Sequence, residues 1–121
     1  MMAGQQADRV GRDHVEIICE AGVNHNGSLD RALELVDATA AVGADVVKFQ
    51  TFRAEAIVTA AAPKAAYQDR NVPEAHSQKE MLKALELDAA AHLRLRDRAK
   101  ERGIKFLSTP FDSQSLRLLT R

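Results

Sequence analysis

Hydrophobic spacing along the chain changes period several times, and each change is bracketed by a capping or turn signal. Val15-Glu16-Ile17-Ile18-Cys19 is a short β-branched run ending at Glu20 and a Gly/Asn-rich turn; it predicts a buried strand. Ser28 offers an N-cap, and Leu29, Ala32, Leu33, Val36 and Ala40 then recur at helical spacing until Gly43 closes the helix. Asp45 to Gln50 predicts a second strand. Its alternation puts Val47 and Phe49 on one face and Val46, Lys48 and Gln50 on the other. Residues 51–76 hold Pro63 and Pro73 and no sustained period, predicting a long connection of the kind that often carries function. Ser77 to Glu80 matches a capping box opening a short helix through Met81, Leu82 and Leu85. Asp88 caps a further helix, Ala89 to Arg102, ended by Gly103. Ile104 to Ser108 predicts a third strand that Pro110 stops, and Ser113 begins another helix.

Strands alternating with helices predict an α/β fold with parallel strands joined by right-handed crossovers. Three such units fit an open doubly wound sheet or part of a (β/α)8 barrel. The first turn, Ala21 to Gly27, lacks the GxGxxG or Walker spacing of a nucleotide-binding sheet.

Composition narrows the function classes. The 121 residues are 45% hydrophobic and 28% charged with zero formal net charge, which suits one modest core. Such a balance gives no field to gather nucleic acid or an anionic membrane, and no aromatic stacking platform accompanies it. Cys19 is the single cysteine, so no disulfide forms within the chain and a cytoplasmic location is expected. Its place in an apolar run predicts a buried, inert thiol. Residues 1–13 read as a flexible polar tail without the apolar stretch of a signal peptide, and 14–121 as the folded portion. No run has transmembrane length.

Polar residues gather where strands end: Glu20 after the first, Lys48 and Gln50 on the second, Ser108-Thr109 on the third. In parallel α/β folds this end carries the ligand-binding loops. Lys48 lies between Val47 and Phe49, where a solvated lysine is hard to place and an anionic partner is needed. Two readings follow. Lys48 pairs with Glu20 on the neighbouring strand, or it takes a phosphate or carboxylate ligand, with Gln50 on the same face reading an adjacent hydroxyl. His25 is a lone histidine between asparagines, with no second histidine at ligand spacing. Asn24, Asn26 and Gly27 suit a tight turn. His92 is expected on a helix surface, and the chain holds no complete metal site.

Three ordered motifs then carry a resemblance. Glu20-Ala21-Gly22-Val23-Asn24-His25-Asn26-Gly27, Lys48-Phe49-Gln50-Thr51-Phe52 and Ser108-Thr109-Pro110-Phe111-Asp112 resemble successive strand-end motifs of the N-acetylneuraminate (sialic acid) synthase family. Residues 62–68 and 80–87 are also similar to bacterial members, and the likeness runs from Ile17 to Leu119.

The resemblance implies a reaction in which carbon 3 of phosphoenolpyruvate attacks the aldehyde of an N-acylated amino sugar. Water adds at carbon 2, and C–O cleavage releases phosphate and a nonulosonic acid. In that family a divalent metal (Mn2+ or Mg2+) polarises the aldehyde. By the same resemblance Lys48 holds phosphoenolpyruvate, Thr109 gives its hydroxyl or backbone N–H to the phosphate, and Gln50 faces sugar hydroxyls. Glu20 is the expected catalytic carboxylate, Asn71 in the long loop contacts the sugar, and Phe111 supports the rim. The fold implied is the first three strand–helix units of a (β/α)8 barrel, which needs about 250 residues in full. The family's metal-binding histidines and C-terminal antifreeze-like domain have no counterpart here, and the full-length family is expected to form homodimers. The chain is therefore expected to be an N-terminal portion, inactive alone. The alternative is a non-catalytic phosphate-binding or interaction fragment that needs a complementary chain.

Overall fold

In the computed structural model, the residues described are 13–59, 63–71 and 77–121. Apart from Asp13, which is exposed, the tail expected over residues 1–13 lies outside them. Among the described residues the elements run β1 (Ile18–Gly22), α1 (Leu29–Ala41), β2 (Val46–Thr51), α2 (Ala54–Ile57), α3 (Ala66–Asn71), α4 (Gln78–Ala84), α5 (Ala89–Glu101), β3 (Lys105–Pro110) and α6 (Ser113–Leu119). The strands form one sheet in the order β1-β2-β3. Strands β1 and β2 are parallel, with Ile18 opposite Val46, Cys19 opposite Val47 and Glu20 opposite Lys48. The Lys105 N–H donates to the Asp45 carbonyl and the Phe111 N–H to the Thr51 carbonyl. Both bonds have the same offset, so β3 also runs parallel, with Leu107 across from Lys48 and Thr109 across from Gln50.

Contacts divide the chain into two units, one running through Gln50 and resuming over Leu87–Thr109, the other comprising Thr51–Glu86 and Pro110–Arg121. In the first, α1 and α5 pack on each other and on one face of the sheet. Ala32, Leu33 and Val36 of α1, Leu95 and Ala99 of α5, and Ala21, Val47 and Phe49 of the strands make the core, joined by Ile104. The α1 apolar stripe recurs at three- and four-residue steps, which turns it to a single side. The Ser28 side chain accepts the Arg31 N–H and the Asp88 side chain the Ala91 N–H, so both helices start at the caps the sequence predicts. The opposite sheet face carries Val46, Lys48 and Gln50.

In the second unit α2 packs on α4, where the Glu86 carboxylate accepts the Ala54 N–H and Lys83 lies 3.6 Å from Glu55. Asp112 caps α6, accepting the N–H and hydroxyl of Ser115, and also takes the Arg53 N–H. Burial of its carboxyl opposes ionisation, but the Ser115, Arg53 and Gln114 donors outweigh it and hold the group below its ordinary value.

Several expectations are corrected. The first strand begins at Ile18 rather than Val15, because ladder pairing starts there. The Ile17 carbonyl takes the N–H groups of Asp45 and Val46, while Val15 stays 77% exposed. Nor is β1 a buried strand: Ile18 is half exposed and Cys19 intermediate, as befits a sheet edge. Strand β3 runs through Pro110, which an edge position tolerates because no ladder N–H is needed there. The connection over 51–76 holds the short helices α2 and α3, too brief to show a period. His92 is buried, not superficial: Nδ1 lies 2.8 Å from the Asp88 carbonyl and its ring meets Phe106 edge-on.

Candidate active site at the strand ends

The parallel register brings Glu20 and Lys48 side by side, and the Lys48 ammonium lies 2.8 Å from Glu20 Oε2. The ionic reading of Lys48 is thus realised. The pair is not sealed, since the Lys48 side chain is 34% exposed and that of Glu20 48%. A half-solvated pair of this kind contributes little to stability, about 0–1 kcal/mol. It leaves both charges accessible to a ligand.

A register shift between Glu20 and Gly22 sets Gly22 opposite Phe49. Such bulges bend a strand and re-aim the side chains at its end. Gly22 has φ +54°, a left-handed conformation open to glycine at little cost. A Cβ placed there would lie 3.5 Å from Glu20 Oε1 and 3.7 Å from Gln50 Nε2, so Gly22 sits between these two polar ends. Thr109 is exposed at the end of β3, in register with Gln50. Glu20, Lys48, Gln50 and Thr109 therefore share one face and one end of the sheet, offering an ammonium, a carboxylate, a carboxamide and a hydroxyl. That set can bind an anion carrying hydroxyls.

Phe111 and Asn71 belong to the second unit. Phe111 is 51% exposed, and its N–H bonds the Thr51 carbonyl. Asn71 ends α3, and its side chain lies outside the described residues.

Behind the strand ends, the turn after β1 closes on three backbone bonds: Asn24 N–H to Ala21 O, Asn26 N–H to Val23 O and Ser28 N–H to His25 O. Asn26 adopts φ +53°, as asparagine readily does in turns. His25 is 1% exposed, and its Nδ1 accepts the Gly27 N–H at 2.9 Å. Burial, and then the His92 charge, lower its pKa from 6.5.

A family model described as the NeuB family matches residues 35–121. The chain belongs to the NeuB family. N,N'-diacetyllegionaminic acid synthase of Legionella pneumophila is 54% identical over 103 residues, covering 85% of this chain and 29% of the relative. Its namesake in Campylobacter jejuni is 50% identical, over 85% and 31%. Among solved structures, N-acetylneuraminic acid (sialic acid) synthetase from Leptospira borgpetersenii in complex with citrate aligns with a TM-score of 0.64 at 29% identity, over 88% of this chain and 33% of that one. Spore coat polysaccharide biosynthesis protein SpsE of Bacillus subtilis aligns at 0.61 and 38%, over 91% and 28%. The chain thus spans about a third of the length of the relatives it matches.

Within this NeuB-family chain, sequence reasoning placed Glu20, Lys48 and Gln50 together, and the structure does bring them together. It missed His25 as a buried group and Gly22 as the residue between Glu20 and Gln50. The signals were a histidine inside an Asn/Gly-rich turn and a glycine two residues after Glu20. Among the described residues no group of three or more His, Cys, Asp or Glu could hold a metal ion. His25 Nδ1 is already engaged by a backbone donor. These residues do not form the divalent-metal site that the synthase resemblance implies.

Proposed function

We propose that this chain supplies the phosphoenolpyruvate and sugar contacts of a nonulosonic-acid synthase, on the first three strand–helix units of a (β/α)8 barrel. The observation that carries the reading is the accessible Lys48–Glu20 pair, which lies within the ladder of β1 and β2 rather than at the strand ends the sequence predicts, with Gln50 two residues further along β2. An arriving phosphoenolpyruvate shares the Lys48 ammonium with Glu20, and the freed carboxylate turns toward the sugar or the attacking water. The Thr109 hydroxyl or N–H binds the phosphate, and the Gln50 carboxamide binds sugar hydroxyls. The resemblance extends the reading to Asn71 for the sugar and to Phe111 at the rim. Orientation is what these residues contribute, since aligning nucleophile and aldehyde removes much of the entropy of a bimolecular step. The net reaction joins carbon 3 of phosphoenolpyruvate to the sugar aldehyde, consumes one water and releases phosphate. The acceptor is N-acetylmannosamine or a diacetamido sugar, and relatives named for diacetyllegionaminic acid favour the latter.

The test grafts this chain's residues over the matched 103 residues of the Legionella synthase. Phosphate release from phosphoenolpyruvate with each acceptor is then followed. The graft should be active, its Lys48→Met form should be nearly silent, and the 121-residue chain alone should release no phosphate. A folded but inactive graft that still binds inorganic phosphate would favour the non-catalytic alternative.

A further inference from the structure

Beneath the strand ends lies a buried imidazole that the proposed chemistry does not use. His25 is 1% exposed, yet its neighbours in the chain are the polar residues Asn24 and Asn26. Two contacts hold it. Nδ1 accepts the Gly27 N–H at 2.9 Å. The ring centroid lies 6.2 Å from that of Phe49, which is fully buried on the core face and stands between Lys48 and Gln50 in the sequence of β2. A backbone N–H can only donate, so Nδ1 is the acceptor and the neutral ring carries its proton on Nε2.

These contacts link both sides of the site. The turn that ends at Gly27 begins at Ala21 and Gly22, and Gly22 sits between Glu20 Oε1 and Gln50 Nε2. Phe49 fixes the alternation that sends Lys48 and Gln50 to the opposite face. A short acceptor such as serine or aspartate could cap the turn but could not reach a core ring, and phenylalanine could pack but could not accept. Histidine does both, which accounts for its burial here despite the cost of desolvating a polar ring.

We propose that His25 is the positioning residue of this site: through Gly27 and Phe49 it holds Gly22 and Glu20 in place against Lys48 and Gln50. Its ligand consequence rests on the phosphoenolpyruvate reading; its structural consequence does not.

The test uses the isotope-labelled 121-residue chain. In the unsubstituted protein at neutral pH, nitrogen NMR should show an unprotonated His25 Nδ1 and a protonated Nε2. A ring protonated at Nδ1 overturns the proposal without any variant. His25→Phe keeps a ring against Phe49 and removes the acceptor. It should displace the Gly22 amide and the Gln50 side-chain amide while Leu95 and Ala99, in the same core, stay put. His25→Asn returns a carbonyl acceptor to the turn and should bring Gly22 and Gln50 most of the way back. Unmoved Gly22 and Gln50 in His25→Phe, or no recovery in His25→Asn, overturn the proposal. If His25→Phe does not fold, the tautomer and the His25→Asn spectrum decide.

Phosphoenolpyruvate titration of the grafted synthase, unsubstituted and with each His25 variant, supplies the ligand arm. Affinity should fall about tenfold in His25→Phe, the size of one lost buried hydrogen bond, and recover in His25→Asn. Equal binding by His25→Phe overturns the positioning role. An unsubstituted graft indifferent to phosphoenolpyruvate, with the ligand-free displacements of the 121-residue chain as expected, sinks the substrate reading and leaves the positioning role supported.

Discussion

Lys48 and Glu20 are register partners on adjacent parallel strands, and their charged groups meet at 2.8 Å while both remain partly solvated. Fold stability therefore depends little on the pair. Lys48→Met should change the unfolding free energy by no more than about 1 kcal/mol. In the grafted synthase it should weaken phosphoenolpyruvate binding by about 2–5 kcal/mol, because the ligand anion then loses its partner. Urea unfolding and ligand titration on the same two proteins check both halves. Comparable losses in both would make Lys48 a structural residue.

Two left-handed glycines provide a matched comparison. Gly22 has φ +54° and Gly43 φ +80°, so an alanine at either should cost about 1–2 kcal/mol of backbone strain. A Cβ added at Gly43 would find nothing within 4 Å, whereas one added at Gly22 meets Glu20 and Gln50. Thermal unfolding should report similar losses for Gly22→Ala and Gly43→Ala, and only Gly22→Ala should also weaken phosphoenolpyruvate binding.

Acid should act on the first unit through His25. Burial, then the His92 charge, lower its pKa, so the unfolded chain takes up a proton near pH 6.5 that the folded chain resists. The stability owed to a neutral His25 is complete above 6.5 and drains as pH falls toward the lowered folded value. His25→Asn should flatten this dependence as pH falls below 6.5, measured by urea midpoints. For Asp112, also shifted down, the window lies lower. Its contribution is complete above 3.8 and is lost as pH falls through the folded value beneath that.

Helix α5 should be steeply asymmetric to truncation. Leu95 is fully buried and Leu93, two residues earlier, is 50% exposed. Leu95→Ala should cost about 2–5 kcal/mol by transfer and cavity terms. Leu93→Ala should stay within about 0.5 kcal/mol. Equal losses would mean that the helix packs differently.

Much of the site is readable in the sequence because its residues obey a local rule. Period-two alternation in β2 is enough to put Lys48 and Gln50 on one face, and that face is where Glu20 and Gly22 meet them. Caps at Ser28, Asp88 and Ser77 also work as local side-chain chemistry demands. What escapes depends on distant chain. The burial of His25 and His92 needs Phe49 and Phe106, far away in sequence, to form the row of rings on which both imidazoles rest. The exposure of Ile18 follows from its strand being at a sheet edge, a property of strand order that composition does not encode.

One layer below the Lys48–Glu20 pair, the same sheet face carries Ile18 opposite Val46, and Val46 is only 3% exposed. This hydrocarbon step forms a floor. A multiply charged ligand that sank past Lys48 would exchange hydration for valine and isoleucine, so its charge stops at the depth of the ammonium. Along this face the surface thus changes from aliphatic to ionic within a single two-residue step of each strand, so depth is marked by chemistry as on a ruler.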